Sequence, residues 1–267
     1  MTADVLQTLA GLPVPIQMVL GFTIILARVG GLVTFAPFWG MGAASKQIRV
    51  VFALILACVV APVVLPKLPP PPTELLQLAP ILIMELVLGC ALGFVGTLVL
   101  GAFEIAAHVL TSQMGFTLAT TIDPTSRAQT TALGSFAQML GLIVFVGMNG
   151  HYWFLTAVVQ SFDTLPPGGF VMTAQTAHLL LRLSADALRI GLALAAPVII
   201  VSLMVEFMLA IAGRTVPQLQ ILLSGFPIKI LICLWLILLT LNFIPGSFRS
   251  VAGRTRSAIA RVLATSQ

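Results

Sequence analysis

Charged side chains are scarce in this sequence. Only 8% of its 267 residues are Asp, Glu, Lys or Arg, whereas 59% are hydrophobic. A soluble globular domain carries roughly 25% charged residues, so an ordinary soluble domain is excluded. The mean hydropathy of +1.11 favours a chain that lies in lipid or within a membrane assembly. We predict one membrane domain.

Motifs for catalysis and metal binding are also missing. The three cysteines lie singly in apolar runs, which predicts buried free thiols without a disulfide framework. There is no HExxH sequence, no Gly-rich phosphate loop and no nucleophile–base pair at motif spacing. The three histidines lack metal-ligand spacing. We therefore expect no enzyme activity and no cofactor or bound metal.

A basic patch for nucleic acid is absent as well, although the formal net charge is +5. The basic residues are scattered along the chain, and membrane topology explains them better than a nucleic-acid surface. The cationic start of a cleaved signal peptide is missing too, because the first basic residue is Arg28. The N-terminal apolar segment is expected to remain in the mature protein.

Long apolar runs dominate what is present. They cover residues 16–33, 50–65, 81–103, 133–159, 176–211 and 218–243. The second is shorter than the roughly 20 residues that a membrane helix needs. The fourth is interrupted at Asn149-Gly150, which is typical of a broken or re-entrant segment. The last two are predicted to form a helical hairpin.

The basic residues do not give a consistent topology. Lys46 and Arg49 favour a cytoplasmic loop, and so do four arginines in the tail at residues 246–267. Five crossings between the two regions would place them on opposite sides. Either the broken central segment does not cross, or the chain is not an ordinary polytopic protein.

One helix face in the third run combines glycines with a carboxylate. At 100° per residue, Glu85, Gly89, Gly93 and Gly96 share this face. Glycines at such spacing let another helix approach closely. We predict that the face packs against a partner chain and not against lipid.

Ionisable residues inside the apolar runs each need a partner, because they are costly in lipid. The set is Arg28, Glu85, Glu104, His108, Glu206 and Lys229. The favoured interpretation is that they pair with each other or with neighbouring subunits. A proton relay or ion path is the alternative, but the carboxylates are too dispersed to favour it.

A polar, flexible stretch interrupts the apolar pattern between residues 113 and 127. It begins with Gln113, Met114, Gly115 and Phe116, and Asp123-Pro124 then breaks any helix. Non-helical backbone at membrane depth survives only inside protein or beside an aqueous cavity. The stretch is either a pore or gate element or a polar loop between two helices.

Several motifs in series resemble the FliR/SctT family of type III export-gate proteins, over about residues 15 to 245. They are Arg28 with Gly31 and Ala36-Pro37, Glu85 with its glycines, 113–124, Asn149-Gly150-His151, Pro167-Gly168, Ala196-Pro197, Gly213-Arg214 with Pro217-Gln218, and Gly225-Phe226-Pro227 with Lys229. The chain departs from the pattern at Gln220, where a smaller polar residue is usual.

The resemblance implies an all-α membrane protein with long kinked helices and helical hairpins. Residues 1–170 would form a part similar to FliP with a central plug loop, and residues 171–245 a hairpin similar to FliQ. The family assembles with FliP and FliQ into a pore for unfolded flagellar proteins in the bacterial inner membrane, at the flagellar basal body. FlhB lies at its cytoplasmic entrance, and FlhA is a further expected partner.

The resemblance also assigns roles to particular residues. The plug would comprise Gln113, Met114, Gly115, Phe116, Asp123 and Pro124. Subunit packing would involve Arg28, Glu85, Gly89, Gly93, Glu206 and Lys229. Gly213, Arg214, Pro217 and Gln218 would form the cytoplasmic tip of the last hairpin. The alternatives are a secondary transporter of small molecules or ions, and the injectisome member of the same family.

Overall fold

The computed structural model describes residues 15–35, 45–69, 75–114, 132–147, 149–215 and 221–240, together with residue 253. Among these residues it contains helices and no β-strand. The helices are α1 (Pro15–Phe35), α2 (Lys46–Val64), α3 (Leu75–Gln113), α4 (Ala132–Gly147), α5 (Gly150–Thr164), α6 (Ala174–Thr215) and α7 (Ile221–Thr240). A 3-10 turn, Leu65–Lys67, follows α2.

In the part of the chain that the structure describes, four helices are long and apolar enough to cross a membrane, which confirms the predicted all-α membrane fold. They include residues 17–35, 46–67, 76–98 and 174–214. The second run is short by itself, as predicted, but residues 46–67 together are long enough to cross. Its helix begins earlier than the apolar run, at Lys46, because the Ser45 hydroxyl caps it by accepting a hydrogen bond from the Ile48 amide at 3.4 Å.

The two longest helices exceed the thickness of a bilayer. With 39 and 42 residues, α3 and α6 are about 58 and 63 Å long at 1.5 Å per residue. A hydrocarbon core is about 30 Å thick. Pro80 and Pro197 lie inside these helices without ending them.

The predicted break near residue 149 is present. Asn149 has φ 57° and ψ 33°, in the left-handed region that asparagine tolerates better than most residues. A right-handed helix cannot continue through that conformation. Helix α5 therefore starts at Gly150, directly after the interruption.

The chain divides into two compact units, and the division does not follow sequence order. Among the described residues, the first unit contains 15–35, 45–69, 75–98, 149–183 and 253, and the second contains 99–114, 132–147, 184–215 and 221–240. Each of the long helices α3 and α6 thus contributes to both units. A division at residue 170 into a part similar to FliP and a hairpin similar to FliQ stays a prediction.

The core of the first unit forms where α1, α2, α3 and α5 meet. Helix α2 buries one stripe at helical spacing, as expected of an amphipathic helix: Ala53, Leu56, Ala57, Val60, Ala61 and Val64. Against it lie Ile25, Val29 and Val33 of α1. This packing holds α1 between α2 and α3, and so fixes the position of Arg28.

The second unit has a smaller buried cluster. Met114, which follows α3, packs with Val198 of α6 and Cys233 of α7, and all three are almost fully buried. Leu110 and Ile230 border this cluster. It fixes the end of α3 against the last two helices.

Candidate functional site

The most polar buried site of the first unit is an ion pair between α1 and α3. The Arg28 Nε atom donates to Glu85 Oε2 at 2.5 Å, and Arg28 Nη2 donates to Glu85 Oε1 at 3.0 Å. Both side chains are 0% exposed. This two-pronged geometry matches the planar guanidinium to the carboxylate.

Helix α5 and the chain after it complete the site. Arg28 Nη1 donates to the Ser161 hydroxyl at 2.9 Å, and Nη2 donates to the Leu165 carbonyl at 3.1 Å. The ring of Phe162 lies 3.8 Å from the guanidinium carbon. Arg28 thereby gains hydrogen-bond acceptors and an aromatic face in place of water.

Gly168 contributes a further hydrogen bond to the Glu85 carboxylate. Its backbone amide donates to Glu85 Oε1 at 3.2 Å, so this oxygen accepts from both Arg28 and the loop. Gly168 has φ +80°, a conformation that side-chain-bearing residues rarely adopt. A glycine at this position therefore lets the loop turn its amide toward the carboxylate.

The glycine face of α3 packs against α1 of the same chain. A Cβ added at Gly89 would overlap the Arg28 carbonyl oxygen, and one added at Gly93 would lie 2.5 Å from the Leu32 carbonyl oxygen. From α1, a Cβ at Gly31 would overlap the Leu86 carbonyl. The predicted close helix contact is confirmed.

The predicted partner of this face is corrected. Arg28, Glu85, Gly89 and Gly93 were assigned to a contact with another subunit, but α1 backbone already occupies the space beside both glycines. Arg28 and Glu85 are fully enclosed within the chain. No second chain can reach these four residues there without displacing α1.

This arrangement can position helices but is poorly suited to chemistry. Both charges are paired and shielded, and each carboxylate oxygen already accepts a hydrogen bond. A proton relay or ligand site would need an accessible group. The network instead connects α1, α3, α5 and the loop at residues 165–168.

The second unit contains a comparable pair between α6 and α7. Lys229 Nζ donates to Glu206 Oε1. The lysine side chain is 8% exposed, whereas that of the glutamate is 50% exposed. The expectation that intramembrane charges pair with each other is confirmed for both ion pairs, and a role of Glu206 and Lys229 in subunit packing stays a prediction.

Metal chemistry finds no support among the described residues. No group of three His, Cys, Asp or Glu side chains in that part of the chain is placed to hold a metal ion. His108 and His178 are exposed on different helices.

Comparison with known proteins identifies the family. Residues 19–255 match the family described as bacterial export proteins, family 1. The flagellar biosynthetic protein FliR of Caulobacter vibrioides is 31% identical over 82% of this chain and 87% of its own length. FliR of Escherichia coli K12 is 30% identical over 77% and 78%, and FliR of Bacillus subtilis 26% over 91% and 94%.

The chain belongs to the FliR family of bacterial export proteins. The match begins inside α1 and extends beyond α7, so both ion pairs lie within the region that defines the family. A FliR-family chain with these membrane helices therefore takes part in flagellar biosynthesis and protein export.

The predicted FliR-family plug lies mostly outside the described residues. Gln113 ends α3, and Met114 follows in a turn. The backbone amide of Met114 donates to the Leu110 carbonyl at 3.1 Å. Gly115, Phe116, Asp123 and Pro124 belong to the part of the chain that the structure does not describe.

Met114 occupies a different environment from the one predicted. It is 0% exposed and lies in the buried cluster of the second unit. An interior side chain cannot also project freely as a seal. In this structure Met114 therefore anchors the start of the segment, and Phe116 stays the predicted apolar seal.

The predicted FliR-family hairpin tip is also only partly described. Gly213 and Arg214 lie in the last turn of α6 and not in the connection, while Pro217 and Gln218 fall outside the described residues. The helix can continue to Thr215 because the first restriction comes at Val216, before the proline. Arg214 is exposed, and a cation near a helix C-terminus is favourable.

Sequence reasoning missed the contributions of Ser161, Phe162, Leu165 and Gly168. Pro167-Gly168 belongs to the family pattern, but nothing in the sequence linked it to Glu85, 83 residues earlier. Arg28 itself could have indicated further partners, because a buried guanidinium needs more hydrogen-bond acceptors than one carboxylate provides.

Proposed function

We propose that this chain is a non-enzymatic subunit of the flagellar type III export gate in the bacterial inner membrane. With FliP and FliQ it would form the pore through which unfolded flagellar proteins leave the cytoplasm. FlhB would bind at the cytoplasmic entrance, and FlhA would be a further neighbour. The observation that carries this proposal is the family match over residues 19–255.

The distribution of apolar surface supports a subunit that works within an assembly. In the most apolar 18-residue stretch of α6 only 17% of the residues are buried, compared with 44% in that of α1. Large side chains on α6 such as Phe207 and Met208 are 70% and 63% exposed. Lipid alone could cover them, but so could the helices of other small membrane proteins, as a multi-subunit gate requires.

The gate itself would be the stretch that begins at Gln113. Met114 would tie one end into the second unit, while Phe116 would contribute an apolar constriction. Such constrictions exclude ions by dewetting without a tight steric fit. Asp123-Pro124 would keep the returning chain from forming a continuous helix.

Affinity purification tests the assignment. The tagged chain is expressed from its own locus, extracted in mild detergent, and its co-purifying chains are identified by mass spectrometry. We expect FliP and FliQ in constant proportion, and loss of swimming when the gene is deleted. Complementation by the tagged chain should restore swimming.

The transporter alternative makes opposite predictions. A lone chain or homo-oligomer that takes up a small molecule with saturation, in cells that still swim without it, would refute the export-gate assignment.

A further inference from the structure

The outward side of α2 carries apolar side chains along almost its whole length. Every exposed position between residues 48 and 63 is apolar, and the large aliphatic side chains among them are 40–64% exposed. They lie on the opposite side of the helix from the stripe that packs in the core of the first unit. The exposed positions are Ile48, Val50, Val51, Leu54, Ile55, Cys58, Val59, Pro62 and Val63.

The small residues of α2 all lie on its buried side. Ala53, Ala57 and Ala61 follow one another at four-residue intervals, and each is buried in the packing against α1. Membrane helices that pack together use small residues, or polar side chains that hydrogen-bond across the contact. Between residues 48 and 63 the exposed side contains no glycine, alanine, serine, threonine or amide side chain. It therefore lacks the features that a second membrane helix would pack against.

Polar residues bound this apolar surface at both ends. Lys46 and Gln47 are exposed in the first turn of α2, and Lys67 is exposed just after the helix. The rise from Lys46 to Lys67 is about 32 Å at 1.5 Å per residue. The hydrocarbon core of a bilayer is about 30 Å thick. The separation of the two lysines thus matches the separation of two headgroup layers.

Each of these lysines suits a polar medium. Lys67 Nζ lies 2.6 Å from Asp163 Oδ1, and both side chains are about half exposed, so this ion pair meets water or headgroups. Lys46 lies in a first turn that contains no acidic residue. A cation is unfavourable at the positive end of the helix dipole, and a nearby anionic phosphate group would offset that cost.

The exposed side of α6 in the second unit differs in composition. The Glu206 side chain is 50% exposed there, among exposed apolar residues such as Leu203 and Phe207. Ionisable groups in membrane segments face protein or a water-filled cavity and not acyl chains. Of these two surfaces, only that of α2 has a composition that suits lipid along its whole length.

We propose that the exposed side of α2, from Ile48 to Val63, faces lipid in the assembled protein. Acyl chains contact its aliphatic side chains, and phospholipid headgroups lie at the levels of Lys46 and Lys67. This inference goes beyond the proposed function, because it concerns the contact with the bilayer and not the export pore. It rests on the length of α2, on its polar ends and on the placement of its small residues.

A spin label at a native cysteine tests the proposal. Cys58 is exposed and lies about 18 Å from Lys46 along α2, near the predicted middle of the bilayer. Cys90 and Cys233 are replaced by alanine, so that a nitroxide can be attached to Cys58 without any substitution in α2. The chain is purified with the subunits that accompany it and reconstituted into liposomes of phosphatidylethanolamine and phosphatidylglycerol.

The measurement compares collisions of the nitroxide with molecular oxygen and with a polar nickel chelate. Oxygen concentrates in hydrocarbon, whereas the chelate stays in water, because the transfer of polar groups into hydrocarbon is costly. The control is Gln47→Cys in a chain whose three native cysteines are replaced by alanine, which places the label at the polar end of the same helix. The ratio of oxygen to nickel collisions at Cys58 should exceed that at Gln47→Cys at least about fivefold. Val51→Cys in the same chain should give an intermediate ratio.

Each environment gives a different pattern. A ratio that falls from Cys58 through Val51→Cys to Gln47→Cys supports the proposal. Low collision rates with both reagents at Cys58 would show that another subunit covers this side of α2, and a nickel rate as high as at Gln47→Cys would place it in water. Either result overturns the proposal. The label reports on α2 whichever subunits accompany the chain, so the absence of FliP and FliQ from the preparation would contradict the proposed function alone.

Discussion

Arg28 is a cation in a membrane helix without water around it. The protein replaces that water with four hydrogen bonds, to Glu85, Ser161 and the Leu165 carbonyl, and with the face of Phe162. Burying the pair is costly in itself, so its presence is weak support for net stability. Removing only one partner is much worse, because the other charge remains buried without compensation.

The first prediction concerns this asymmetry. Arg28→Met should lower the free energy of unfolding by about 3–5 kcal/mol, since it leaves the Glu85 carboxylate buried without its cation. Arg28→Met combined with Glu85→Leu should recover much of that loss. The midpoint of thermal unfolding in detergent would be compared for both variants.

A surface pair provides the control for this experiment. Lys67 Nζ and Asp163 Oδ1 are 2.6 Å apart, but their side chains are 50% and 46% exposed. Lys67→Gln should therefore change stability by no more than about 1 kcal/mol. Equal losses from Lys67→Gln and Arg28→Met would show that the buried network has no special role.

At this scale the sequence could predict that charges need partners, but not which ones. Apolar surroundings made pairing necessary for Arg28, Glu85 and Lys229. The separation of 57 residues between Arg28 and Glu85 carries no geometric information. The contributions of Ser161 and the Gly168 amide depend on how α5 and its following loop fold back, which no local pattern encodes.

Contact between α1 and α3 shows what can be predicted for whole elements. The spacing of Gly89 and Gly93 correctly indicated that another helix approaches this face closely. Spacing describes one surface only, so it could not distinguish a helix of the same chain from one of a partner. Helix ends were also missed, because capping by Ser45 and continuation of α6 through Arg214 depend on polar residues outside the apolar runs.

The second prediction uses two adjacent glycines of α1. Gly31→Ala should destabilise the isolated chain strongly, because its Cβ would overlap the Leu86 carbonyl and lie 2.8 Å from the Cys90 amide nitrogen. A Cβ at Gly30 meets nothing within 4 Å. Gly30→Ala should therefore be neutral or stabilising by up to about 1 kcal/mol, given the helix propensity of alanine.

Thermal unfolding of the isolated chain in detergent measures this difference. The same comparison separates an internal contact from a subunit contact. If Gly31→Ala unfolds like the unsubstituted chain when isolated and loses only its association with other subunits, the contact belongs to an interface after all.

For the whole molecule, the third prediction concerns orientation. Arg214 is exposed in the last turn of α6, and a positive connection between two apolar helices favours the cytoplasmic side. The variant is Arg214→Cys in a chain whose Cys58, Cys90 and Cys233 are replaced by alanine. Its single thiol should react with an impermeant thiol reagent in inside-out vesicles. It should stay unreactive in intact spheroplasts. The reverse pattern would place the hairpin tip in the periplasm and contradict this prediction.

The last prediction separates anchoring of the gate from sealing. Met114 is 0% exposed and packs with Val198 and Cys233, whereas Phe116 is the next large apolar residue of the predicted plug. Met114→Ala should lower the free energy of unfolding by about 2–5 kcal/mol, the usual range for emptying a buried methionine site. Met139→Ala is its control, because Met139 is 62% exposed on α4 and should lose little.

Phe116→Gly should change ion conductance and leave thermal stability unchanged, in contrast to Met114→Ala. We expect an intact complex of normal thermal stability that conducts ions in planar bilayers, and cells that grow poorly in raised salt, because a dewetted constriction fails when its apolar group is removed. Met114→Ala complexes that remain assembled should conduct less than Phe116→Gly complexes, since the seal itself is still present. Two results would contradict gating. One is that Phe116→Gly complexes do not conduct ions, and the other is that both variants conduct only in proportion to their loss of stability. Either result would mean that this stretch only packs between helices and does not gate the pore.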